Sequence, residues 1–251
     1  HYMTVDGTGM EGDRRARVDA MNASVLASGA PLEALFGPPR PAAPEGERGV
    51  NDVWEGFGIR LIIVRAERCA FDPQEAGGVP LPAPSFDDLG RLRRLSARFN
   101  TPGFGGINVY QWPDIRGIGG YASAPRTEGP FPGPGSVWFK VDSVLLFGTF
   151  FGWRSHVLLM AHEIGHYLTL RHTCTRGAPE AGQPFPPGHP DRDLPLCPSP
   201  GTDRHASLMS DRQDGIALSP CEQKRARAAA RTMLGITTTN PQEAPCPEAD
   251  H

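Results

Sequence analysis

The sequence predicts an α/β fold in two parts: strands interleaved with helices in an N-terminal subdomain, then a loop-rich C-terminal subdomain ending in a helix. Three observations carry this prediction. Short β-branched and aromatic runs alternate with segments of helical period as far as residue 170. From Thr173 to Ser207 almost nothing is periodic. The chain holds 30 Gly and 27 Pro among 251 residues, nearly twice the usual share of roughly 12%. With 39% hydrophobic residues, such a composition describes an apolar core wrapped in long loops. A chain of this length buries a substantial core, as one domain or as two subdomains sharing a cleft.

The elements follow in order. Residues 1–47 read as an N-terminal extension, in which His1-Tyr2-Met3 is assigned no element. Within it, 11–29 has Val18, Met21, Val25 and Leu26 at amphipathic helical spacing, and 37–47 is a Pro-rich connection. Gly49 to Trp54 reads as a short helix ended by Gly56 and Gly58. Ile59 to Val64 is an apolar, β-branched run that predicts a buried strand. Ser85 caps a helix reaching about Phe99. Short strands follow at Ile107–Tyr110, Gly119–Ala122 and Val137–Val141. Arg154 to Leu170 is strongly helical, and a last helix runs from about Ser219 to Leu234, with Pro220 at its first position and Gly235 as its stop.

Several function classes drop out on composition. Lys and Arg number 25 against 28 Asp and Glu, a net charge of −3, so no basic field favours a nucleic-acid partner. The longest apolar stretch, Val144 to Trp153, is too short to span a bilayer, and no membrane partner is expected. The five cysteines are Cys69, Cys174, Cys197, Cys221 and Cys246, with no CxxC pair that would predict a zinc ribbon. Four of them fall in the loop-rich C-terminal part, where disulfides would best constrain the chain in an oxidising compartment. Buried free thiols are the plainer alternative, and the odd count leaves one thiol over in either case.

The chemistry concentrates in His162-Glu163-Ile164-Gly165-His166. Residues four apart on a helix share a face, so His162 and His166 can present imidazoles to one metal ion. Glu163 is offset by about 100°, able to reach a metal-bound water without being a ligand. A catalytic zinc site needs a third ligand. His172 is favoured, giving HExxHxxxxxH; Glu180 in a loop and Glu222 on the last helix are the rivals. On a straight helix His172 would face about 240° away from His166, so the chain must bend between them. His156, His189 and His205 read as surface or locally bonded histidines.

HExxHxxxxxH followed by a methionine-bearing turn, here Ser207-Leu208-Met209-Ser210, resembles the metzincin zinc endopeptidases. The chain is most similar to the pappalysin branch, around Ile107-Asn108-Val109-Tyr110, Gly120-Tyr121-Ala122, Met160 to His166, His172-Thr173 and the helix after Leu218-Ser219-Pro220. The likeness covers roughly residues 48–235. It implies a metzincin-like zincin with a twisted mixed sheet whose antiparallel edge strand, Gly119, Gly120, Tyr121 and Ala122, binds a peptide or protein substrate by main-chain hydrogen bonds. It implies Zn2+ on His162, His166 and His172, Glu163 as general base, and Met209 as an apolar floor beneath the histidines. The zinc helix then closes an N-terminal catalytic subdomain at 48–172, with the Met-turn and final helix in 173–251. By resemblance alone, Cys174 and Cys197 are candidates for a disulfide, and Asp191, Asp193 and Asp203 for structural Ca2+. The family carries Gly at the bend before the third histidine, where this chain has Thr169, and often Tyr two residues after the turn Met, where it has Asp211. A β-branched residue in a left-handed bend stores strain unless the bend is made otherwise.

The leading expectation is a secreted or periplasmic zinc endopeptidase. A metal-dependent modifying enzyme or oxygenase on the same scaffold is the second reading, and a non-catalytic binding module the third. Binding alone would have no use for Glu163. Cleavage preference stays open: Asp211 or Asp214 after the Met-turn would suit a basic side chain, but loop aspartates are usually solvated.

Overall fold

The computed structural model describes residues 2–5, 36–38, 48–69, 106–112, 120–123, 136–140, 150–174, 207–210 and 215–233. The helices expected at 11–29 and 85–99 lie outside them, as do Gly119, Glu180, Cys197, Cys246, the loop aspartates and His189 and His205.

Among the described residues five strands form one mixed sheet. They are β1 (Tyr2–Val5), β2 (Ala66–Cys69), β3 (Asn108–Trp112), β4 (Gly120–Ser123) and β5 (Ser136–Lys140), in the order β2-β1-β3-β5-β4. Strand β1 pairs in parallel with both β2 and β3, and β3 in parallel with β5; β4 runs antiparallel to β5 at the edge of the sheet. Tyr2 to Val5, which the sequence reading left inside an unassigned extension, thus occupies an inner position of the sheet.

Among the described residues three helices are seen from end to end: α1 (Val50–Trp54), α2 (Phe150–Tyr167) and α3 (Pro220–Met233). Helix α1 opens at Gly49, whose N–H donates to the Asp52 carboxylate at 2.6 Å, and continues into a 3-10 turn, Glu55–Phe57. Gly58 ends that turn at φ 75°, the left-handed conformation glycine adopts without penalty. Helix α3 begins as the sequence suggests. Ser219 Oγ accepts from the Glu222 N–H, and the Glu222 carboxylate accepts from the Ser219 N–H at 2.7 Å, a reciprocal capping box. Glu222 is therefore occupied at a helix start and is not among the grouped metal ligands.

The run Ile59–Val64 is a correction. It is not a buried strand: residues 59–65 carry no regular structure, and β2 begins only at Ala66. Ile59 is buried and Leu61 and Ile63 pack on the core, but Ile62 and Val64 are 73% and 65% exposed. The reason is Asn51, which is itself buried on α1. Its Oδ1 accepts from the Leu61 N–H at 2.8 Å and its Nδ2 donates to the Leu61 carbonyl at 2.9 Å, so a side chain takes the hydrogen bonds a neighbouring strand would need. The same Nδ2 lies 2.6 Å from the Phe36 carbonyl and 3.0 Å from that of Gly37, tying three chain segments together.

The core lies where α2 meets α1, β3 and the segments around Leu208, Met209 and Leu218. Val157, Met160, Ala161, Ile164 and Leu168 are buried on and just beyond α2, against Val50, Trp54, Val109, Leu208, Met209 and Leu218. Ala226 and Ala229 of α3 complete it. No helix of the described residues is long and apolar enough to cross a membrane.

Candidate metal centre

The site begins with the packing of α2. Its apolar residues anchor the helix in the core, while His162 and His166, one turn apart, share a face. After Tyr167 the chain reverses. The Thr169 N–H donates to the His166 carbonyl at 3.0 Å and the Leu170 N–H to the Gly165 carbonyl at 3.0 Å, the paired bonds of a Schellman motif. Thr169 takes the left-handed position of that motif, at φ 69°. The bend is thus made at Thr169 itself, in the conformation a β-branched residue resists. Its Oγ1 is buried with no hydrogen-bond partner.

This reversal returns His172 to the other two rings. His172 Nε2 lies 3.2 Å from His162 Nε2 and 3.0 Å from His166 Nε2. Main-chain carbonyls orient two of the rings from behind: His162 Nδ1 is 2.7 Å from the Leu208 carbonyl, and His166 Nδ1 is 3.0 Å from that of Leu170. A carbonyl oxygen only accepts, so both Nδ1 atoms carry the proton and both Nε2 atoms present lone pairs to the shared point. Four-coordinate zinc with nitrogen at ~2.05 Å sets ligand nitrogens ~3.3 Å apart, and the observed spacing is close to that. The donor set therefore fits a metal ion, and these three histidines could hold one.

The turn at 207–210 supports the site from below. Leu208, Met209 and Ser210 are buried. The Leu208 N–H donates to the Ala217 carbonyl at 2.8 Å, the Met209 N–H to Ser207 Oγ at 3.0 Å, and the Met209 carbonyl accepts from the Thr173 N–H at 3.1 Å. Met209 reaches α2 at Gly165, where any Cβ would run into its sulfur. A side chain at position 165, one residue before His166, would therefore have to displace the buried Met209 thioether. Tyr167 donates its hydroxyl to the Gly106 carbonyl at 2.9 Å, which pins the end of α2 beside β3, and burial pushes its pKa up.

Glu163 is 4% exposed and stands outside the trio of grouped ligands. Burial pushes its carboxyl up to about 8; a cation nearby would act in the opposite sense by favouring the carboxylate. Its side chain lies against Gly120 of β4. Helix, turn and edge strand thus bring His162, Glu163, His166, His172, Met209 and Gly120 together; the backbone of Tyr121 and Ala122 continues along β4. Cys174 and Cys221 are both disulfide-bonded.

The orienting carbonyls of Leu208 and Leu170 had no signal in the sequence, because main-chain acceptors belong to every residue. Gly165 did have one: a glycine inside a helix needs a reason, and close packing is the usual one. Searched against protein-family models and against characterised proteins, the chain matches none.

Proposed function

We propose that the protein is a zinc-dependent endopeptidase of metzincin type, most like the pappalysins. The observation that carries this reading is the convergence of three Nε2 atoms beside a buried carboxylate that lies against an edge strand. His162, His166 and His172 would hold the ion. Bound zinc would supply Lewis acidity, bringing the pKa of a water at its open position to about 7. Glu163 would accept that water's proton at its carboxylate and hand it to the departing amine nitrogen. The outer edge of β4, last in order among the described strands, would bind an extended peptide through main-chain hydrogen bonds, which orient the scissile bond without reading its side chains. Met209 is the floor that fixes α2 beneath the ligands. The disulfide-bonded state of Cys174 and Cys221 supports an oxidising compartment, secreted or periplasmic.

The test is to incubate the purified protein with a proteome-derived peptide mixture, with and without chelator, alongside elemental analysis of the native protein. The expected result is stoichiometric zinc and a set of new peptide ends that vanishes with chelation. Iron in place of zinc, with no new ends, would instead favour the modifying-enzyme reading.

A further inference from the structure

Glycine is a poor strand residue, since it loses the most backbone freedom on ordering and offers no side chain to pack. Gly120 stands in β4 all the same, and its backbone does not call for it. Among the described residues Gly58 is the glycine at positive φ; Gly120 is not, so any residue could adopt its backbone conformation. What excludes a side chain is space. A Cβ built at Gly120 would lie 2.6 Å from Glu163 Cγ, 2.8 Å from Cδ and 2.8 Å from Oε1, closer than the 3.0 Å that real Cβ atoms respect. All three contacts are to the arm and carboxylate of one residue.

Nor can α2 retreat to make room. His162 and Ile164, on either side of Glu163, are 1% and 0% exposed. His162 is tied to the Leu208 carbonyl, and Met209 fills the space at Gly165. A methyl group at position 120 must therefore displace either the carboxylate or the edge strand.

We propose that Gly120 is a positioning residue: its bare Cα is the seat that holds the Glu163 carboxylate in working position under the edge strand. The contact stands on geometry alone, whereas its catalytic consequence rests on the peptidase reading. Position 120 then does two things through one backbone, offering main-chain groups to a substrate and leaving room for the base beneath it. This differs from a packing glycine, whose replacement would harm the sheet regardless of what Glu163 carries.

A double-mutant cycle tests it with Gly120→Ala, Glu163→Ala and the pair, measuring Tm, Zn2+ affinity, and kcat and KM on a peptide cut by the wild type. Gly120→Ala should lower kcat by about 100-fold, the scale expected for a misplaced catalytic group, with KM and Zn2+ affinity little changed. Its Tm should fall by about 3 °C or more, and that fall should disappear when Glu163 is already Ala, because the new methyl then fills the vacated space. An equal fall in Tm with and without the Glu163 side chain would overturn the seat, as would a variant with wild-type kcat. If Gly120→Ala fails to fold, the pair must fold; failure of both also overturns it. A wild-type protein that cuts no peptide would sink the peptidase reading, and the Tm cycle would still decide the contact.

Discussion

The chain leaves α1 and leaves α2 through the same backbone construction, filled by different residues. After α1, the Gly58 N–H bonds the Glu55 carbonyl and the Ile59 N–H bonds that of Trp54; after α2, Thr169 bonds His166 and Leu170 bonds Gly165 with the same spacing. In both, the following residue, Ile59 or Leu170, is buried. The left-handed position holds Gly58 at φ 75° in one and Thr169 at φ 69° in the other. Such a conformation costs a non-glycine residue about 1–2 kcal/mol. A turn that carries this cost persists only where its surroundings hold it. Around Thr169 they do: the Leu170 carbonyl receives His166 Nδ1, and the Thr173 N–H reaches the Met209 carbonyl. The relaxed turn at Gly58 leads instead to a segment fastened by a side chain, the Asn51 amide on Leu61. The same reversal thus serves to tie down a connecting segment in one place and to bring His172 to His162 and His166 in the other.

Breaking the clamp beyond the first turn gives the larger effect. Asn51→Ala removes an amide that bonds Phe36, Gly37 and Leu61, and takes both side-chain hydrogen bonds from the partly buried main chain of Leu61. A loss of about 2–4 kcal/mol is expected, read by urea denaturation, with Zn2+ affinity unchanged because the Asn51 amide bonds Phe36, Gly37 and Leu61 and none of the three histidines. A loss below about 0.5 kcal/mol, the level of a neutral surface change, would show that the clamp contributes little.

The two turns themselves should respond in opposite directions. Thr169→Gly relieves a left-handed β-branched residue and removes a buried hydroxyl without a partner, so stability should rise by about 1 kcal/mol. Gly58→Ala should lower it by about 1 kcal/mol. There the cause is conformational, since among the described residues the added Cβ meets Arg227 Cδ alone, at an ordinary 3.7 Å. Thermal unfolding of the pair checks both signs; two shifts of the same sign would contradict the comparison.

Local signals explain what could be read in advance. The spacing of His162, His166 and His172 pointed to a trio with a bend inside it, and the helix through 154–170 is seen as α2 from Phe150 to Tyr167. Ser219 and Pro220 mark the start of α3, whereas the capping bond from Glu222 emerges only in the fold. Strands were harder, because pairing is decided by distant chain. Tyr2-Met3-Thr4-Val5 is too short to show a period, and β2, Ala66-Glu67-Arg68-Cys69, is too polar to look like a strand. Conversely, Ile59 to Val64 looked like a strand until Asn51 took the hydrogen bonds of Leu61. Thr169 shows the limit most clearly. Its identity warned of strain, but only the fold shows that the bend is made at that residue.

The central claim is that three histidines hold a metal while Glu163 moves the proton, and Glu163→Ala separates these roles. Metal content and peptide cleavage should be measured together on this variant and on the wild type. The expected result is equal zinc in both proteins with cleavage lost from the variant, whose metal ligands are untouched. A variant that binds zinc and cleaves at the wild-type rate would contradict the account.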